Sequence, residues 1–351
     1  MTVPTSPPSQ APPFSIQFSR HFESWLTSFN ASIAFTTYQA GKVFMLGIGD
    51  SGISVVERTY ARCMGLAARA DRLYLASLYQ LWRFNNVLEA TGSYQGYDRL
   101  FIPHLGWTTG DVDAHDIGID ADGKPVFVNT LFSCLAKPSE KANFDVCWKP
   151  PFISRLAPED RCHLNGLAMH GGEPGWVTMI SASDVADGWR DHRHNGGLVM
   201  DVRSDDVVCE GLSMPHSPRW HKGKLWLLNS GTGEIGRVDQ RSGRFEPVCF
   251  LPGYARGLAI HGRYALVGLS KARNRSFSGL QLDDELQRRN AEARCGIVVV
   301  DLETGDLLHH MRIEGVVEEL FDVTVIPGAI RPMLLGFKTD EIKRMVRFGP
   351  E

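Results

Sequence analysis

The sequence predicts an all-β fold, a six-bladed β-propeller, and three observations carry that expectation. Short runs of β-branched and aromatic residues alternate with Gly, Asp and Asn turns along nearly the whole chain. Six segments share a degenerate core: Gly65-Leu66-Ala67, Gly118-Ile119, Gly166-Leu167-Ala168, Arg219-Trp220, Gly257-Leu258-Ala259 and Asp322-Val323. A turn and a second apolar strand follow each of them, and internal repetition of this kind selects a propeller over a sandwich. Each segment is therefore expected to be the innermost strand of a blade. At 351 residues the chain is long for one domain, but closed all-β folds often reach this length undivided.

In chain order, residues 1–14 are rich in Pro and Ser and are expected to form a disordered leader, with residues 15–351 as a single propeller domain. Helical spacing is confined to residues 18–29 and 280–293. Closure of the ring is expected from both ends. Residues 322–326 and 333–337 would open the sixth blade, and strands between residues 33 and 56 would complete it, removing a free sheet edge. Loops over residues 130–152, 183–197 and 271–295 would cover one mouth of the channel as a lid. Their aromatic and basic content suits a functional role.

Net charge is -3 with both signs interspersed, so the sequence offers no basic stripe for nucleic acid and no polybasic cluster for an anionic membrane. A small molecule or a peptide is the expected substrate. Seven cysteines without a C-x-x-C pair argue for reduced thiols and a cytoplasmic location. Gly231-Thr-Gly-Glu-Ile-Gly236 has the spacing of a dinucleotide motif but opens a strand, so a hairpin turn is expected there.

Four residues before the alignment points stand Arg62, His115, His163, His216, Tyr254 and Glu319, all polar. Side chains two apart share a strand face, which puts Met64, Ile117, Asn165, Pro218, Arg256 and Phe321 in the next layer. A polar ring is thus predicted above a mostly apolar plug. Three imidazoles and a carboxylate suit Fe, Mn, Zn or Cu better than Ca or Mg. His115, His163, His216 and Glu319 are accordingly the expected ligands of a divalent transition metal.

Tyr254, Arg62 and Glu319 are the expected catalytic residues, with Tyr254 exchanging a proton, Arg62 gripping a substrate carboxylate and Glu319 serving as a base if it is not a ligand. Arg256 and Asn165 in the channel, with Trp189, Arg190 and Arg273 in the loops, would contact substrate. Asp113, Asp116 and Asn165 would hold imidazole tautomers. The competing readings are a hydrogen-bonding pocket without metal, and histidines simply satisfied in the core. Arg62 and Tyr254 would then only plug the channel mouth.

The phrases Arg161-Cys-His-Leu-Asn-Gly-Leu-Ala168, Gly196-Gly-Leu-Val-Met-Asp201, Met214-Pro-His-Ser-Pro-Arg219, Leu227-Leu-Asn-Ser-Gly231, Arg256-Gly-Leu-Ala259 and Val267-Gly-Leu-Ser270 carry a family resemblance. Over about residues 32–337 the chain resembles a bacterial family of conserved hypothetical, domain-of-unknown-function proteins, some of them fused to tetratricopeptide repeats. The resemblance implies a propeller-like fold and transfers no activity. In ligand type the ring is similar to those of iron-dependent carotenoid-cleaving oxygenases and manganese-dependent oligogalacturonate lyases, and unlike calcium-type lactonases, which use Glu, Asn and Asp. Fold analogy only weights the options. The expected function is a metal-dependent enzyme acting on a small polar, anionic molecule by oxidative or by lytic or isomerising chemistry. The alternatives are a non-catalytic propeller that binds a protein or peptide partner, and a metal-free hydrolase or lactonase.

Overall fold

All six predicted segments become innermost strands of separate sheets in the computed structural model, which describes residues 14–272 and 279–348. From the channel outward, the first blade runs Leu66–Ala68, Arg72–Ala76, Gln80–Asn86 and Arg99–Thr108. The second runs Ala114–Ile119, Pro125–Asn129, Cys134–Lys137 and Asp145–Trp148, and the third Leu164–His170, Glu173–Met179, Gly197–Asp201 and Val207–Leu212. The fourth runs Pro215–His221, Lys224–Asn229, Glu234–Asp239 and Arg244–Phe250, and the fifth Tyr254–His261, Tyr264–Ser270, Gly296–Asp301 and Leu307–Gly315. Val323–Pro327 opens the sixth, and the N-terminal strands Ala31–Thr37, Lys42–Gly49 and Gly52–Thr59 complete it.

Closure is therefore made by one C-terminal and three N-terminal strands, with Phe35 opposite Val323 and Ala31 opposite Pro327. The expectation that residues 333–337 belong to this blade is corrected. Because the N-terminal strands fill every remaining place in the sixth sheet, Pro332–Leu334 instead adds in parallel to the outer strand of the first blade. Asp98 fixes that register by accepting from the backbone N–H groups of Ile330 and Arg331 at 2.9 and 2.7 Å. At the other flank of the closure, Phe14–Phe18 covers the outer edge of the fifth blade. Both terminal segments thus protect edges that would otherwise be open to pairing with another chain.

The helical expectations resolve into two short helices, α1 (Phe22–Ser28) and α2 (Gln281–Arg288). A second correction concerns residues 130–152. They are not one long loop, since Cys134–Lys137 and Asp145–Trp148 are the outer strands of the second blade. Trp148 accordingly lies on an outer strand, where its Nε1 donates to Asp205. The coverings from residues 183–197 and 271–295 do leave the channel end of their blades, and 273–278 within the latter lie outside the described residues. Gly231 to Gly236 spans the hairpin between Lys224–Asn229 and Glu234–Asp239.

Inner strands converge on the axis, which explains the repeated glycine. A Cβ on Gly166 would stand 2.3 Å from Cδ of Pro218 in the next blade, and one on Gly257 would stand 2.6 Å from Cα of Asp322. Gly257 also has φ +72°, a conformation that side chains resist. Neighbouring blades are further tied by hydroxyls at the ends of second strands. Thr36, Thr130, Ser230 and Ser270 donate to the carbonyls of Met64, Leu164, Ala255 and Leu320 in the following blade, at 2.6–3.0 Å.

Deeper in the channel, Arg219 from the fourth blade reaches Asp116 of the second blade at 2.7 Å and Asp322 of the sixth at 3.8 Å. Each carboxylate also accepts two backbone N–H groups: Asp116 from Ile117 and Leu167, Asp322 from Leu66 and Val323. One buried ionic cluster therefore links most of the inner strands.

Candidate functional site

The inner strands of the second to fifth blades share a departure from regular pairing just below the ring. In each, the inner strand carries one residue more than its partner, within residues 114–117, 164–166, 216–219 and 256–258. Such bulges re-aim side chains. Several nearby residues adopt left-handed backbone conformations although they are not glycine: Arg62, Asp113, His163 and Met214 have φ between 47° and 50°.

These turns have a direct effect on the imidazoles. The carbonyl of Asp113 faces the ring two residues on, and His115 Nδ1 donates to it at 2.9 Å. The carbonyl of Met214 does the same for His216 Nδ1 at 2.8 Å. A carbonyl oxygen can only accept, so each Nδ1 carries the proton. The Thr130 hydroxyl, whose proton goes to Leu164, offers its oxygen to His115 Nδ1 at 2.8 Å. In the third blade His163 Nδ1 donates to the Asp160 carboxylate at 2.8 Å, and Trp189 Nε1 donates to the same oxygen at 2.8 Å.

Burial pushes His115 down to about 4, with Asp113 opposing the shift and His163 and Arg256 adding to it. Burial and then the Arg256 charge hold His216 well below the usual imidazole range. Both rings are thus neutral near pH 7 and present Nε2 as a bare lone pair. His216 Nε2 is buried and has no hydrogen-bond partner. Burial works to raise Asp160, but His163, His115 and the Trp189 N–H together keep the carboxyl below its ordinary value.

All three histidines are buried and lie at one end of the channel. The His115 and His163 rings meet edge to face at 4.9 Å, and Trp189 stacks on His163 at 4.1 Å. Of the layer expected below them, Met64, Ile117 and Phe321 share one apolar cluster, with the Phe321 ring 5.1 Å from His115. Arg256 lies over Phe321 at 5.2 Å and its Nη1 stands 3.4 Å from Glu319. Asn165 accepts from the Thr178 hydroxyl at 2.7 Å, and its Nδ2 is buried without a partner.

The other expected site residues divide. Arg62 lies at the rim and forms a bidentate ion pair with Asp111. Tyr254 is buried and its hydroxyl donates to Asp283 of α2, and burial and that carboxylate both push its pKa up. Arg190 is half exposed, pairs with Asp187 at 2.9 Å and lies over the Trp189 ring at 4.5 Å. Arg273 lies outside the described residues. His216, Tyr254, Arg256 and Glu319 line one small pocket together with Lys271 and Leu280, with a cavity volume of about 20 Å³. Among the described residues, no group of three or more His, Cys, Asp or Glu side chains is placed so that it could hold a metal ion.

Residues 20–335 match the family described as Domain of unknown function (DUF4915). The chain belongs to this family. No curated protein matches the sequence. Among solved structures, a chain of the "Nidogen/Laminin Complex" is 11% identical with a TM-score of 0.55, over 84% of this chain and 98% of that one. A catalytically inactive variant of virginiamycin B lyase from Staphylococcus aureus, solved with quinupristin, is 12% identical with a TM-score of 0.42, over 85% of this chain and 99% of that one. At this identity the first likeness speaks to the fold alone, and that fold is a propeller. No helix among the described residues is long and apolar enough to cross a membrane.

Sequence reasoning missed several groups that position the site of this DUF4915 chain. Asp160 sits in an irregular connection three residues before His163, where no strand periodicity marks it. Thr130 and Ser230 had a signal, since each follows an Asn at the end of a second strand. Asp113 acts on His115 through its carbonyl, with its carboxylate 3.6 Å away. Asp116 and Asn165 bond to Arg219 and Thr178 and not to imidazoles.

Proposed function

We propose that this protein is a metal-dependent enzyme acting on a small polar, anionic molecule, with a divalent transition metal held by Nε2 of His115, His163 and His216. One observation carries the reading: each Nδ1 is committed to an oxygen acceptor, which leaves the opposite nitrogen of each ring as the one available to a ligand. An oxygen partner on the far ring nitrogen is the usual support of a metal-bound histidine. A buried, unpartnered lone pair on His216 is costly unless a proton donor or a cation meets it. Several Lewis-basic nitrogens at one mouth suit a cation better than an anion.

The three side chains are not placed to share one ion as they stand, so metal binding would require them to move together. His115 and His163 are already in contact, and His216 would move toward them. A metal with three protein ligands keeps an open position and supplies a polarised substrate or an activated water. Glu319, paired with Arg256, is better placed as a base beside that position than as a fourth ligand. Elemental analysis after purification, and again after reconstitution with Fe, Mn, Zn or Cu, is expected to give close to one transition metal per chain. A metal-free protein after both treatments would overturn the reading.

A second reading draws on the Asp160–His163 pair, whose geometry is that of an oriented general base. It corresponds to a metal-free hydrolase, and activity that survives chelation would favour it.

A further inference from the structure

We propose that Arg294, His310 and Arg312 form an anion site that takes the phosphoryl group of free phosphate or of a small phosphate monoester. The site uses none of the channel histidines and does not depend on a metal.

The sheet of the fifth blade brings the three residues together. His310 and Arg312 stand two apart on the outer strand Leu307–Gly315, so they share one of its faces. Gly296, on the neighbouring strand, lies opposite Arg312. Arg294 precedes that glycine by two residues, and its backbone N–H donates to the Pro252 carbonyl at 3.2 Å. All three residues line one small cavity, with Pro252, Leu269 and Cys295 among the rest of its wall.

Uncompensated positive charge marks this cavity. Among the described residues, none of the three side chains forms an ion pair or a hydrogen bond. Glu314, the next residue on the same strand face, pairs with Lys271 at 3.7 Å. Burial and the Arg312 charge push Arg294 down, with Glu292 opposing, and burial, Arg312 and Arg294 push His310 down. The guanidinium groups thus stand close enough to repel each other, with no anion between them. Arg312 Nε is also buried without a partner, and an unmet buried donor is costly. An oxyanion in the cavity would relieve the repulsion and accept from that donor.

Size and charge select the ligand. The cavity measures about 30 Å³, room for the oxygens at one end of a single anion. Arg294 is exposed and Arg312 half-buried, so one side is open to solvent and an ester substituent would stay outside. Two permanent cations match a dianion better than a monocarboxylate, and planar guanidinium forks present paired N–H groups to phosphate oxygens.

Equilibrium dialysis of the purified protein against radiolabelled phosphate at constant ionic strength tests the site. Saturable binding of one phosphate per chain is expected, undisturbed when chloride replaces an inert anion in the buffer. Arg312→Gln should weaken it by about 10–100-fold. Arg294→Gln, at an exposed position that folding tolerates, should weaken it in the same direction and serves if the Arg312 variant does not fold. Arg289→Gln is the control: that arginine is paired with Glu285 at 3.2 Å at the end of α2, and its loss should leave binding unchanged. Glycerol phosphate separates the two sources of the group. Displacement of the label by it shows a site for monoesters, and label that only unlabelled phosphate displaces shows a site for the free ion. No saturable binding, equal displacement by chloride, or wild-type binding in both arginine variants would overturn the proposal.

Discussion

Replacing Arg219 by leucine is expected to destabilise the protein by about 3–5 kcal/mol, because it leaves two crowded, buried carboxyl groups without their cation. The guanidinium holds both oxygens of Asp116 at 2.7 and 3.1 Å, reaches Asp322 at 3.8 Å, and donates to the carbonyls of Leu258 and Leu167. Asp116 and Asp322 in turn cap backbone N–H groups on the inner strands of four blades, so neither can swing to solvent without stranding those donors. For a chain of this size the loss corresponds to a fall in Tm on the order of 4–7 °C. Asp322→Asn added to the leucine variant should recover part of it by removing one of the two crowded carboxyls. Strict additivity of the two substitutions in denaturant unfolding would show that the three groups do not act as a unit.

The same cluster makes stability depend on pH. Burial and the neighbouring Asp116 raise Asp322 to about 8, with Arg219 and two backbone N–H groups opposing. The folded state then keeps a proton that the unfolded chain releases near pH 4. The stability contributed by that proton is complete below about pH 4 and is progressively lost as pH rises toward the folded-state pKa. Thermal unfolding from pH 5 to 9 should show wild-type Tm declining more steeply than that of Asp322→Asn. Parallel profiles would place the ionisation elsewhere.

How far the sequence was legible follows from which forces act locally. The six inner strands could be read because convergence on an axis demands glycine or another accommodating residue at one fixed point, as at Gly166 and Gly257. Which terminal strand filled which edge could not be read. Residues 333–337 are apolar and suit any open edge, and their place was decided by the N-terminal strands occupying the sixth sheet and by Asp98 holding Ile330 and Arg331. The clustering of His115, His163 and His216 followed from alignment, whereas the layer beneath did not follow from alternation alone. One extra residue in each of four inner strands shifts the facing. Asp160 escaped because its contact with His163 depends on a left-handed turn, φ 43°, which the sequence does not encode in a recognisable motif. Arg62 illustrates the reverse: its ring position was legible, but its partner Asp111 comes from the loop before the next blade.

His216→Ala is expected to abolish stoichiometric metal binding, and Asp160→Asn to weaken it by about 10–100-fold. His216 supplies a nitrogen whose proton and orientation are already set by the Met214 carbonyl, so its loss removes a ligand without disturbing the His115–His163 contact. Asp160 touches no ion in this reading; it fixes His163 from behind, with Trp189 holding the same oxygen, and an amide keeps the shape while losing the charge that strengthens the imidazole as a donor. His170, exposed at the far end of its strand and in ring contact with Trp176 and Trp220, is the control whose replacement should leave metal content unchanged. Competition with a chromophoric chelator measures all three affinities. The Asp160 variant also separates the two functional readings. Where the Asp160–His163 pair serves a metal-free general base, the amide removes turnover and leaves chelator competition as in wild type; where it supports a ligand, affinity and turnover fall together, and excess metal restores part of the activity.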